Sequence, residues 1–238
     1  MTDVTSGAAF FDRLHRSEAE PWSFSERAAE VLRHDWIAST MVQLDCAPRR
    51  TLDVGCSLGQ LTGRLAEALP DVYAIDVSVT ALNEARRRMP PDAASFAAGC
   101  ATSLPVASAA FDLIVASDGL YSWNLSAGGR RDALHELHRV LRPGGQILFT
   151  EHMRPEHFAE LLEEVRQSSL RVLSVTFLYD RPWYQVESWF RAIQRFWIAR
   201  ALRRSLTVAR ALRQVGRLLG PRASRHICIV ATRDQLLH

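Results

Sequence analysis

The stretch Thr51 to Gln60, T-L-D-V-G-C-S-L-G-Q, constrains the fold of this chain more than any other. Leu52 and Val54 alternate as in a short apolar strand, Gly55 and Gly59 supply turn residues, and positions 61–69 read as a helix. A strand that turns into a helix on two such glycines is a nucleotide-binding corner. Glycine admits a ligand where a Cβ would exclude it, and free amides at the helix start favour a carboxylate or phosphate. About twenty residues on, Val72 to Ile75 form a second apolar run ending in Asp76, whose carboxylate can accept from both hydroxyls of a ribose. The dinucleotide pattern G-x-G-x-x-G is not met, because Ser57 and Gln60 stand where the second and third glycines belong. NAD and FAD are thereby disfavoured.

From position 49 onward, strand and helix patterns alternate. Strands are predicted near 51–55, 71–76, 94–97, 111–117, 146–150, 171–178 and 227–232. Such alternation predicts an α/β fold, a doubly wound, mostly parallel seven-stranded sheet with helices on both faces. Residues 1–48 read as an N-terminal helical cap, with a second helix opening at Ser25-Glu26, and 49–238 as the main domain. Further helices are expected at 131–141 and 155–166, with Pro143-Gly144-Gly145 as a turn into the fifth strand. Ligands of such sheets bind beyond the carboxyl ends of the strands. Gly55, Asp76, Cys100, Asp118, Glu151 and His152 all fall there.

A helical insertion is expected at 182–220, before the last strand. From Ser188 to Gly220 it carries eight arginines and no acidic residue. Trp189, Phe190, Ile193, Phe196 and Trp197 share one helical face, with Arg191 and Arg195 opposite; Val208, Leu212, Val215 and Leu219 oppose Arg203, Arg210, Arg213 and Arg217. Three readings stand: an apolar face folded onto the core or pairing two subunits in a homodimer, a lid over an acidic or phosphorylated acceptor, and peripheral contact with an anionic membrane surface.

With 238 residues and 47% hydrophobic content, the chain can bury one substantial core, and its formal charge of +3 gives no general reason to bind nucleic acid. All 29 basic residues are arginine. The four cysteines never fall as C-x-x-C, so neither a zinc site nor a disulfide framework is expected, and a reduced, cytoplasmic setting fits. The N-terminus lacks the pattern of a signal peptide, and no apolar run reaches the roughly 18 residues needed to span a bilayer.

Asp53, Gly55, Ser57, Gly59, Asp76, F-D-L-I-V at 111–115 and L-R-P-G-G at 141–145 together resemble the ordered motifs of class I S-adenosylmethionine-dependent methyltransferases. The resemblance covers about 49–151. Pro21-Trp22, the G-C-x-x-G loop and D-L-I-V-x-x-x-x-L-Y are similar to the NodS-like N-methyltransferases of sugar-containing acceptors. The resemblance implies a Rossmann-like fold with the last strand inserted antiparallel between the fifth and sixth. It implies S-adenosyl-L-methionine as cofactor and S-adenosyl-L-homocysteine as product. Gly55, Ser57 and Gly59 would lie beneath the methionine and ribose, Asp53 close behind, and Asp76 on the ribose. Val77 would cover the adenine and Ala101 contact it, with Cys100 standing where related enzymes have an aspartate. N-terminal helices that cap the cofactor would bring Trp22, Arg33 and His34 to the site, Arg33 pairing with the methionine carboxylate.

The acceptor is expected after the fourth and fifth strands. Asp118, bordering the cofactor, would attract a cationic amine or take its proton; Tyr121 would orient the acceptor or touch the sulfonium, and Trp123 would line its pocket. His152, read as the only histidine at a strand tip facing that pocket, is the candidate general base. Tyr179, Trp183 and Tyr184 would stack on the substrate or anchor the insertion. The expected function is methyl transfer to a nitrogen or oxygen of a small-molecule acceptor, sugar-containing or a natural-product intermediate, with no metal. The alternatives are a lipid-linked or isoprenoid acceptor at a membrane surface, and a non-catalytic cofactor-binding module. Base methylation of nucleic acid is disfavoured, since S-D-G-L stands where an N-P-P-Y-like motif would follow the fourth strand.

Overall fold

A computed structural model describes residues 4–44, 50–120, 125–192 and 196–234. The strands are β1 (Thr51–Val54), β2 (Val72–Asp76), β3 (Ser95–Ala98), β4 (Phe111–Ser117), β5 (Leu141–His152), β6 (Leu170–Phe177) and β7 (His226–Arg233). They form one sheet in the order β3-β2-β1-β4-β5-β7-β6. β7 runs antiparallel between β5 and β6, as the resemblance implied, and the pairings from β3 to β5 are parallel. All four residues of β1 are buried, as expected of a central strand covered on both faces. One face packs Leu52, Ile114, Phe149 and Ile229 against α5 (Ala127–Val140) and α6 (Phe158–Gln167). The other packs Leu113, Val115 and Leu148 against α2 (Ala28–Gln43) and α3 (Gln60–Ala68).

Several boundaries differ from the sequence expectation. α2 begins at Ala28, not at Ser25, because Ser25 is spent on Glu20, its amide and hydroxyl both donating to that carboxylate. β5 starts at Leu141, ahead of the P-G-G turn: Leu141 already pairs with Phe111, and the next pairing is Leu113 with Gln146. The turn is a bulge inside the ladder, and a Cβ on Gly145 would stand 2.9 Å from both the Arg142 and Asp112 carbonyls.

The segment before β7 holds three helices, α7 (Arg181–Ala192), α8 (Trp197–Arg204) and α9 (Leu206–Leu219). Trp183 and Ala209 of α7 and α9 pack on Ala28 of α2. The described part of the expected aromatic face is not folded onto the core. Trp189, Phe196 and Trp197 stay exposed, and Ile193 and Arg195 lie outside the described residues. The face of α9 is also rotated: Ala209 and Gly216 are buried, Arg213 donates inward to the Leu178 carbonyl, and Val215 and Leu219 are exposed. Among the described residues, no helix is long and apolar enough to cross a membrane.

Candidate active site

At the end of β1 the backbone turns through left-handed conformations at Gly55 (φ 78°), Ser57 (φ 48°) and Gly59 (φ 77°) before entering α3. The Ser57 amide donates to one Asp76 carboxylate oxygen and the Ser78 amide to the other, each at 2.8 Å. Asp76 thus ties the loop after β1 to the start of α4 (Val79–Arg88). Asp53 lies buried behind the loop and accepts from Thr62 Oγ1 at 2.7 Å. Burial lifts its pKa to about 7, Thr62 opposing and the Asp76 charge adding. A cleft opens here, lined by Phe24, Arg33, Asp53, Gly55, Ser57 and Ser117 among others. The first helix, α1 (Val4–Ser17), covers the neighbouring loops: Asp12 accepts from Ser78 Oγ and the Thr80 amide, and His15 Nε2 is 3.5 Å from Ser57 Oγ.

Next to this cleft lies a buried network of charge. Arg33 of α2 donates to Glu30 at 2.9 Å and to Ser117 and Thr150 at the strand ends, and pairs with Asp118 at 3.0 Å. Asp118, in the left-handed region at φ 56°, also faces His226 Nε2 at 3.3 Å, while His226 Nδ1 makes a short hydrogen bond with Asp180. Burial alone would lower the His226 pKa, but Asp180 and Asp118 raise it to about 10, leaving an imidazolium. Burial pushes Asp118 upward, and Arg33 and the His226 charge outweigh it, so its carboxyl stands below the ordinary value. His152 lies with its ring 5.0 Å from that of His226 and 5.1 Å from that of Tyr184. Burial and the His226 charge both lower its pKa, so His152 is neutral at pH 7 and free to accept a proton. Tyr184 donates to Glu30 at 2.6 Å. Glu30, Asp118 and His226 present ligand atoms close enough to hold a metal ion, yet Arg33 already sits between the two carboxylates and His226 has no free lone pair.

The structure brings together Asp53, Gly55, Ser57, Arg33 and Ser117 around the cleft, with Asp76 tied to its loop, and Asp118, His152 and Tyr184 in the adjoining network. Gly59, at φ 77°, caps α3. Three expectations change, and Trp183 takes its anchoring alternative. Trp22 is exposed, and Phe24, two residues on, lines the cleft instead. Arg33 is no open fork for a ligand carboxylate, since its donors are committed to Glu30, Asp118, Ser117 and Thr150. Trp183 is buried among α2, α7 and α9 and lines a second space with Leu32, Leu178 and Arg33; its Nε1 has no hydrogen-bond partner among the described residues. His152 is not the only histidine at a strand tip: β7 is antiparallel, so its first residue, His226, pairs in register with the last of β5, His152.

Val77 is half-buried after β2, and Cys100 and Ala101 lie in the turn after β3, where Cys100 Sγ contacts Thr102 Oγ1 at 3.1 Å. Tyr179 stands in the left-handed region at φ 55°, its amide donating to Ser224. Tyr121 and Trp123 lie outside the described residues. Sequence reasoning missed Glu30 and His226. A charged Glu30–Arg33 pair on the buried face of α2 was one signal, and the predicted antiparallel last strand was the other.

Residues 51–145 match a family of methyltransferase domains. A demethylmenaquinone methyltransferase of Beutenbergia cavernae is 36% identical over 121 residues, 50% of this chain and 48% of that protein. The chain spans about half the length of the curated relatives it matches. Among solved structures, the N-methyltransferase NodS of Bradyrhizobium japonicum has a TM-score of 0.62 at 22% identity, covering 72% of this chain and 89% of NodS. The [4+2]-cyclase SpnF has a TM-score of 0.62 at 23% identity, covering 86% and 81%. These two likenesses are of fold. The stretch 51–145 is thus similar to a methyltransferase domain, and the fold around it is that of NodS and SpnF.

Proposed function

We propose that the protein transfers a methyl group from S-adenosyl-L-methionine to a nitrogen or oxygen of a small-molecule acceptor, sugar-containing or a natural-product intermediate, in the cytoplasm. The observation that carries this reading is the loop Gly55-Ser57-Gly59, tied to Asp76 and opening beside the His152–His226–Asp118 network at the carboxyl ends of the central parallel strands. The residues fit the cofactor's chemistry. Burial raises the Asp53 pKa to about 7, a cationic ammonium beside it would restore the carboxylate, and a Cβ on Gly55 would approach nothing nearer than 3.9 Å, so the loop is open there. When bound, the sulfonium supplies a methyl carbon already activated for in-line displacement.

The protein's part is then placement and proton handling. Arg33 fixes Asp118, Asp118 and Asp180 fix His226, and burial with the His226 charge keeps His152 unprotonated to receive a proton from the acceptor. The likeness to demethylmenaquinone methyltransferase favours, as a second reading, a lipid-linked or isoprenoid acceptor. SpnF bears a different activity in its name on the same fold, so binding alone does not establish methyl transfer.

Two measurements test the proposal. In calorimetry, S-adenosyl-L-homocysteine binds, and Asp76→Ala or Gly55→Val weakens it by at least about tenfold, the latter through a β-branched residue at positive φ. With radiolabelled cofactor and a panel of amine, hydroxyl and quinol acceptors, label moves to an acceptor and His152→Ala slows it. Unchanged affinity in both folded binding variants overturns the site; binding without transfer to any acceptor class overturns the activity.

A further inference from the structure

The end of α7 and the start of α8 leave large apolar side chains in water that the candidate site does not use. Trp189 is 77% exposed, Phe196 51%, Trp197 71% and Ile198 53%. Arg191, Arg200 and Arg204 are exposed beside them in sequence, and Arg204 reaches Glu26 from the segment before α2. Packing does not account for this composition, because α8 has a single buried residue, Ala199. A concentration of exposed aromatic groups of this kind marks a surface that meets a partner.

Charge selects the partner. A second copy related by a twofold axis would set this arginine-rich corner against itself, with no acid between 188 and 220 to compensate. A nucleic acid would match the charge and stack on indoles, but Ile198 offers a base nothing. The surface of an anionic bilayer takes every group: indole rings at the headgroup level, the aliphatic chain at the acyl boundary, and guanidinium groups on lipid phosphates.

We propose that the α7–α8 corner docks the protein on an anionic membrane surface, with Trp189, Phe196, Trp197 and Ile198 entering the headgroup region and Arg200 on a lipid phosphate. The opposite face of α7 carries Tyr184 and Glu187, whose partners Glu30 and Arg27 belong to the buried network, so docking bears on the helix that flanks the site. The docking does not depend on the methyl-transfer reading.

The test is co-sedimentation of the full chain with vesicles of phosphatidylcholine alone and of phosphatidylcholine mixed with phosphatidylglycerol. Binding is expected to the mixed vesicles only, weakened by salt. The double variant Trp189→Ala/Trp197→Ala should lose about tenfold in affinity or more and Arg200→Ser about fivefold, with melting unchanged because all three residues are exposed. Brominated lipid should quench the tryptophan emission of the unaltered protein, a readout that needs no variant. The proposal is overturned by absence of binding to mixed vesicles at low salt, or by variants that bind as the parent does. It is equally overturned by a soluble dimer that the tryptophan variant dissolves, or by retention on single-stranded RNA, with no vesicle binding in either case.

Discussion

Between the carboxylates of Asp180 and Asp118, His226 is an imidazolium whose pKa rises from 6.5 to about 10 although the side chain is buried. Its folded pKa exceeds its unfolded one, so the stability it contributes is complete below pH 6.5 and is lost as pH climbs through about 10. Replacing it by His226→Gln removes the cation, leaving Asp118 paired with Arg33 and the buried Asp180 hydrogen-bonded to backbone amides without a paired cation. We expect a loss on the order of 2–4 kcal/mol near pH 6. The gap to the parent protein should close as pH approaches about 10, where His226 gives up its own proton. Denaturant titrations at about pH 6, 8 and 10 measure this, and a gap that stays constant would mean His226 is held by packing alone. At this scale the sequence discloses residues whose role follows from local backbone, such as Gly55, Ser57 and Asp76. It does not disclose His226, because histidine acquires a fixed charge only from neighbours that the register of β5 and β7 brings in.

For the strands, apolar period and turn residues were enough to place β4 at 111–117, while the place of β7 between β5 and β6 came from the family resemblance. The insertion was less legible, because hydrophobic period identifies an amphipathic helix without saying which flank meets the protein. In α9 the decision rests on Gly216, where a Cβ would stand 2.2 Å from the Tyr179 carbonyl oxygen and 3.0 Å from its carbon. Backbone cannot yield as a flexible side chain can, so Gly216→Ala must push α9 away from the 178–180 segment. Alanine would ordinarily favour a helix by about 0.5–1 kcal/mol over glycine. Here the expected outcome has the opposite sign, a destabilisation of about 1–3 kcal/mol as in overpacked cores. Gly63→Ala in α3, where nothing lies within 4 Å, serves as the control and should be neutral or stabilising. If both variants melt alike, the close approach of α9 is not what fixes its face.

Across the whole molecule, a mostly parallel α/β sheet was readable from the alternation of elements and the antiparallel place of β7 from the family resemblance, whereas the ties joining N-terminal helix, sheet and insertion were not. Arg27 and Glu187 are 160 positions apart, and nothing local in either marks the other. Glu187, on α7 and almost fully buried, accepts two bonds of 2.7 Å from Arg27 and one of 3.1 Å from Arg203 on α8. Arg27 in turn lies 3.3 Å from Glu30, which pairs with Arg33 and, through it, with Asp118 at the end of β4. One chain of ion pairs therefore runs from the insertion through α2 to the strand ends. Glu187→Ala leaves Arg27 and Arg203 facing each other without their shared anion. With both arginines in partial contact with water, the cost should be about 2–4 kcal/mol, below that of a fully enclosed pair. Because Arg27 precedes α2 and Arg203 ends α8, the loss should loosen all three helices at once. Hydrogen exchange should then quicken together in α2, α7 and α8, while β1 and β4 keep their protection. Faster exchange confined to α7 and α8 would show that the insertion opens by itself, and that the buried network at Arg33 and Asp118 holds its geometry without it.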